Sequence, residues 1–218
     1  MLSQRTKASL VHDLLRLQAR LRQRFAGPRA PASSRLHFGC GPRHVEGWLN
    51  VDLAGSDWNV DLAAGALPWP DRCFESAVSE HVIEHLELNS ELVPLLRELR
   101  RVLVEGGELW LSCPDMEAIC IAYLEDKGAR LMAGRLRRGL RNWQPSPAPV
   151  QQIVNDIFYH NGTHRNLFDF ELLEWALEQT GYVDCARVTE EALLHRFPGF
   201  PPRNDGEQTL YVRAVAPA

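Results

Sequence analysis

Leu36-His37-Phe38-Gly39-Cys40-Gly41 carries an apolar run into a glycine turn, and Asn50-Val51-Asp52 ends the next apolar run on a carboxylate. Small residues just past a strand let a ligand approach the backbone closely, because no side chain stands in the way. A carboxylate at the end of the neighbouring strand can accept hydrogen bonds from both hydroxyls of an adenosine ribose. Either part alone matches many ordinary turns. The ordered pair points to a nucleotide-type ligand at the ends of parallel strands.

Working outward, apolar runs at 35–39, 48–53, 75–79 and 108–113 predict strands, the last two bracketing a helical stretch from His81 to Leu103. That alternation predicts a parallel sheet. Gly106-Gly107 marks a turn, Asp169 is an N-cap for a helix carrying Leu172, Leu173 and Leu177 that Gly181 ends, and 182–188 and 208–215 read as closing strands. Only eight residues, Cys40 to Gly47, join the first two strands. A helical crossover needs about a dozen or more, so the first helix is expected to be short or missing. Segment 54–60 is similarly brief, which predicts an open pocket completed by other parts of the chain.

Residues 1–34 stand apart as an amphipathic helix and a proline-rich linker, with 35–218 as the main domain. Leu10, Leu14, Leu17 and Leu21 share one face of that helix, and 4–24 holds six Lys/Arg against the single acid Asp13. The leucine stripe suits docking on the domain, a lid or a homodimer contact. From about 114 to 168 the connection is far longer than a strand-to-helix loop and predicts an inserted cap. It includes Met116 to Leu124, a basic stretch Lys127–Arg141 with six Lys/Arg and no acid, and a Pro-rich break at 145–149.

The net charge of −4 offers no global reason to expect nucleic acid, and neither basic segment interleaves the aromatics of a stacking platform. Five scattered cysteines without a C-x-x-C pair fit a reducing, cytoplasmic setting. No run of about 18 apolar residues is present to span a bilayer.

Beyond the first two strands come Asp61-Leu62, Leu67-Pro68-Trp69-Pro70-Asp71, His81-Val82-Ile83-Glu84-His85-Leu86 and Glu98-Leu99-Arg100-Arg101-Val102-Leu103. In this order, with Gly39-Cys40-Gly41 and Gly47-Trp48-Leu49-Asn50-Val51-Asp52, they resemble the small class I S-adenosylmethionine-dependent methyltransferases called methyltransferase type 11. The resemblance is dense over 35–115 and loose beyond. It implies a Rossmann-like α/β domain with a seven-stranded, mostly parallel sheet and a reversed final hairpin. It implies S-adenosyl-L-methionine as cofactor, with Gly39, Cys40 and Gly41 along its methionine part, Asp52 and Leu53 at the ribose, Asp61 and Leu62 flanking the adenine, and Glu80 beside it. The expected activity is methyl transfer to a small or medium-sized acceptor, with oxygen the first choice of receiving atom. Other uses of the cofactor, or binding without catalysis, stay open.

Tyr159, His160, Asn161, His164 and Arg165 gather polar groups before the last long helix and are expected to form a substrate wall, together with Asp115. His160 or His164 is the candidate general base, and His81, placed in the pocket, is a third candidate catalytic residue. His81-Val82-Ile83-Glu84-His85 also fits H-x-x-E-H, in which histidines four apart on a helix share a zinc ion in a peptidase. The methyltransferase reading calls for no metal.

Overall fold

In a computed structural model, the protein is described over residues 4–26, 30–139 and 149–217. Residues 27–29 of the linker, and the part of the basic stretch and Pro-rich break within 140–148, including Trp143, lie outside the described residues. One seven-stranded sheet is built from β1 (Arg35–Phe38), β2 (Leu49–Asp52), β3 (Trp58–Asn59), β4 (Phe74–Glu80), β5 (Leu103–Pro114), β6 (Val183–Val188) and β7 (Thr209–Val215). Their order is β3-β2-β1-β4-β5-β7-β6. The first five strands run parallel, whereas β7 lies antiparallel to both β5 and β6. The chain winds outward from β1 to β3 and returns to β4 on the other side of β1. A crevice therefore opens between the carboxyl ends of β1 and β4.

Helix α1 (Gln4–Ala26) precedes the sheet, and α2 (Val93–Val102) links β4 to β5. Between β5 and β6 come α3 (Met116–Asp126), α4 (Ala129–Arg137), α5 (Gln152–Tyr159) and α6 (Phe170–Gln179), and α7 (Glu190–Arg196) sits between the last two strands. One sheet face buries Leu36, Phe38, Ala77, Leu109 and Leu111 against Leu95, Leu99 and Val102 of α2 and Leu173 and Leu177 of α6. Alternation along the strands sends Val78 and Trp110 to the opposite face.

No helix joins β1 to β2. The Asn50 amide holds the short connection in place of one: its Oδ1 accepts from the Val45 N–H at 2.8 Å, and its Nδ2 donates to the carbonyls of Val45 and Trp48. The sheet face left without a first helix is covered from the far end of the chain. Trp48 meets Phe197 and Phe200 edge-on at 5.0 and 4.9 Å, with Val45 and Leu193 buried beside them.

The helical stretch expected from His81 to Leu103 is helical from Leu88 onward and irregular before it. His81 has φ +57°, residues 83–85 form a single tight turn, 88–92 a wide helical turn, and α2 starts only at Val93 with Pro94 in its first turn. A proline there lacks only an N–H that the first turn leaves unpaired anyway. Among the described residues no helix is long and apolar enough to cross a membrane.

The cap helices have a small core of their own in Ile119, Ala122, Leu131, Ile153 and Ile157. Trp48→Ala, which strips the substitute cover from the sheet, is expected to cost about 3–5 kcal/mol, measured by urea denaturation.

Candidate functional site

At the end of β1 the chain turns sharply over β2. The Gly39 and Cys40 N–H groups both donate to the Val51 carbonyl, at 2.7 and 3.1 Å. The next N–H, of Gly41, donates to Oδ2 of Asp52 at 2.7 Å, and the Leu53 N–H donates to Oδ1 at 2.6 Å. Gly39 has φ +67°, and a Cβ there would lie 2.2 Å from Cγ2 of Val82, so only glycine fits. Gly41 has φ +51°, but a Cβ added to it would meet nothing within 4 Å.

A cavity of about 390 Å³ opens here, lined by Gly39, Gly41, Asp52, Leu53, Asp61 and Leu62 together with His81, Val82 and His85. Six of the eight residues expected at a cofactor thus surround one space. Cys40 and Glu80 do not line it. Cys40 is buried, its thiol donating to the Gly41 carbonyl, and burial with the nearby Asp52 carboxylate pushes its pKa up to about 12. Glu80 is turned toward Arg43, 3.7 Å away, and burial raises its pKa despite the neighbouring Arg203 and Arg43.

Helix α1 supplies a further wall through His12 and Arg16. Its docking face is polar. Arg16 and Arg20 donate to Oδ2 of the buried Asp61 at 3.1 and 2.6 Å, while Oδ1 caps the turn at Ala63. Arg16 also reaches Glu91, and Gln23 donates to the Ala66 carbonyl. The leucine stripe does not dock on the domain: Leu10, Leu14, Leu17 and Leu21 face solvent, each about half exposed. A buried carboxylate needs its charge matched, and only the arginine face can do that.

A second cavity, of about 700 Å³, lies beside the cap and is lined by His81, Glu84, His85, His160 and His164 with Arg43, Arg203 and Asp205. His81 sits between the two spaces. Its Nδ1 is 3.3 Å from Glu84 Oε1, and its Nε2 is 3.3 Å from Asp205 Oδ2 and 3.2 Å from Thr209 Oγ1. Burial opposes its protonation, but the Asp205 and Glu84 carboxylates outweigh burial and raise its pKa. His160 stacks on His164 with ring centroids 4.7 Å apart, and both stand edge-on to His85. Burial, reinforced by neighbouring histidines, lowers the pKa of His160 and takes that of His164 to about 4.

The other expected substrate residues scatter. Asn161 and Arg165 line a third cavity, of about 480 Å³, with His12, His85 and His160, and Arg165 also reaches the cofactor-side cavity, 3.4 Å from Glu91. Tyr159 is exposed and lines neither large cavity. Asp115 is buried as the N-cap of α3 and pairs with Arg187 at 2.8 Å, and it lines neither space. His81 and His85 share no helix face, because the segment is a turn and the His81 ring points to Asp205. The H-x-x-E-H helix of a zinc peptidase is not formed. Arg16, Arg43, Arg203 and Asp205 had no motif to mark them; they reach the site from distant parts of the chain.

Residues 52–111 match the family described as a methyltransferase domain. No curated protein sequence matches the chain. Among solved structures, an S-adenosylmethionine-dependent methyltransferase from Archaeoglobus fulgidus is similar over 94% of this chain and 94% of its own, at 16% identity and a TM-score of 0.47. Another, from Mesorhizobium loti, is similar over 88% of this chain and 95% of its own, at 17% identity and 0.45. Haemonchus contortus phosphoethanolamine N-methyltransferase 2, solved with phosphomonomethylethanolamine and S-adenosylhomocysteine, is similar over 92% of this chain but 53% of its own, at 13% identity and 0.48. This chain spans about half the length of that enzyme. The sheet order with its reversed final hairpin is the one that the sequence resemblance implies.

Replacing both Arg16 and Arg20 by alanine is expected to release α1 from Asp61. Discounted for the partial exposure of both arginines, the change amounts to roughly tenfold faster tryptic cleavage within 4–26, read by limited proteolysis.

Proposed function

We propose that the chain transfers the methyl group of S-adenosylmethionine to a small or medium-sized acceptor at oxygen. The observation behind this reading is a shared wall: His81 and His85 line both the cavity at Asp52 and the polar cavity beside the cap. The bound cofactor supplies a methyl group made electrophilic by its sulfonium. The protein then needs to hold a nucleophile in line with it and to exclude water.

The residues suit that cofactor. The space beside Gly41 is open to a ligand, and each Asp52 oxygen, having taken one backbone N–H, keeps a lone pair for a ribose hydroxyl. In this reading Gly39 and Gly41 follow the methionine part, Asp52 and Leu53 the ribose, and Asp61 and Leu62 the adenine. Cys40 and Glu80 act from behind, Cys40 within the turn and Glu80 through Arg43. Of the two loop histidines we assign His160 as the general base, because His164 turns its Nδ1 inward, where it is buried. His160 takes the proton as the acceptor oxygen bonds to the methyl carbon and the carbon–sulfur bond breaks. Asn161 and Arg165 stand at the rim, and His81 positions the wall between the two ligands. The five free cysteines suit a reducing cytoplasm.

Asp52→Ala is expected to weaken S-adenosylhomocysteine binding by about 10- to 100-fold in calorimetric titration, from lost bonds to a charged acceptor. Equal affinity would remove Asp52 from the cofactor. His160→Ala is expected to lower turnover roughly 10²- to 10⁴-fold with that affinity intact, measured as S-adenosylhomocysteine released with hydroxyl-bearing acceptors.

The same reading includes a homodimer through α1. Its exposed leucines recur at the 4-3-4 spacing of a paired-helix seam, whose natural occupant is a second copy of the same helix. Changing Leu14 and Leu17 to glutamate should leave a monomer in sedimentation at concentrations where the parent chain is dimeric; a monomeric parent chain excludes the dimer.

A further inference from the structure

Glu84, His85 and His164 meet at the cap-side cavity, and methyl transfer as described above leaves their shared arrangement without a task. They come from the turn after β4 and from the loop after α5, and one ligand atom of each lies within 4.8 Å of the other two. Glu84 is 1% exposed, yet neither carboxylate oxygen has a hydrogen-bond partner among the described residues. Its polar neighbour is Nδ1 of His81 at 3.3 Å, a ring already shared with Asp205. An ionised carboxylate buried in this way is costly unless a cation completes its surroundings.

The His85 imidazole is braced from behind. Nδ1 of His85 lies 3.2 Å from the Thr163 carbonyl, which can only accept, so Nδ1 carries the proton and Nε2 presents its lone pair. The buried Nδ1 of His164 has no hydrogen-bond partner among the described residues and is free to offer its lone pair. For His85, a backbone bond on one ring nitrogen with a lone pair on the other is the support that metal-ligating histidines receive.

We propose that Glu84, His85 and His164 bind one divalent first-row transition-metal cation at the junction of the two cavities. Two imidazoles and one carboxylate suit zinc, cobalt, manganese or iron; magnesium and calcium prefer all-oxygen shells. Metal–ligand bonds of about 2.0–2.2 Å require the three side chains to close in by roughly an ångström. Three protein ligands leave coordination positions open toward the cap-side cavity. Resting on the methyl-transfer reading, the acceptor is then a hydroxyl compound whose oxygen occupies an open position. There the cation lowers the hydroxyl pKa, His160 receives the proton, and the oxygen attacks the methyl carbon. The cation keeps its oxidation state throughout.

The test uses the untagged full chain, stripped with chelator and titrated with Co²⁺ alone, followed by calorimetry and visible absorption. One equivalent is expected to bind and to give d–d bands, and His164→Ala and Glu84→Gln should each weaken binding at least tenfold. Because Glu84 is buried, circular dichroism checks each variant's folding, and His164→Ala and His85→Ala carry the test should Glu84→Gln fail to fold. A parent chain that binds no Co²⁺ at millimolar concentration, or an unchanged affinity in folded His164→Ala, overturns the site. Titrating the metal-free chain with S-adenosylhomocysteine separates the two ideas. Metal binding without S-adenosylhomocysteine binding supports the site and rejects methyl transfer, whereas the converse rejects the site.

Discussion

The bond from the Gly41 N–H to the Asp52 carboxylate ties the first turn of the sheet to the end of its second strand. With Gly39 and Cys40 both bonded to the Val51 carbonyl, it fixes a loop too short for the usual helix. Two consequences follow from that brevity. The sheet face beyond β1 needs cover from elsewhere, which Trp48, Phe197 and Phe200 provide through edge-on ring contacts. The crevice beside Asp52 also lacks a local wall, and α1 supplies one.

Charge governs how α1 supplies it. Asp61 is buried at the end of the crevice and takes two arginines from one helix face, so the helix lies with its leucines outward. The leucine stripe would bury more apolar surface, but leaving a sealed carboxylate without its cations costs more than exposing a few leucines. The middle of the helix thus brings His12 and Arg16 into the cavity lining.

On the other side of His81, burial and mutual repulsion keep His160 and His164 neutral, while Asp205 and Glu84 favour the charged form of His81. Neutral imidazoles can take up a proton or ligate a cation. Their two arrangements divide these roles: His160 lies at the exposed loop, and His164 lies half-buried against Glu84 and His85.

Six of the seven strands, and the approach of Gly39 and Gly41 to Asp52, were legible in the chain, because strand periodicity and a glycine turn followed by an acid are local patterns, whereas the seventh strand and the reversed hairpin followed only from the resemblance. The absent first helix was legible too, from loop length alone. The backbone after Glu80 was not, since apolar spacing resembling a helix ran through a segment that His81 turns at positive φ. Nor was the outward set of the leucine stripe, the capping duty of Asp115, or the union of Glu84 and His85 with His164. Each depends on partners far apart in sequence: Asp61 for α1, Arg187 for Asp115, and the cap loop for Glu84. Local spacing specifies which element a residue joins; burial and the pairing of distant charges settle what its side chain meets.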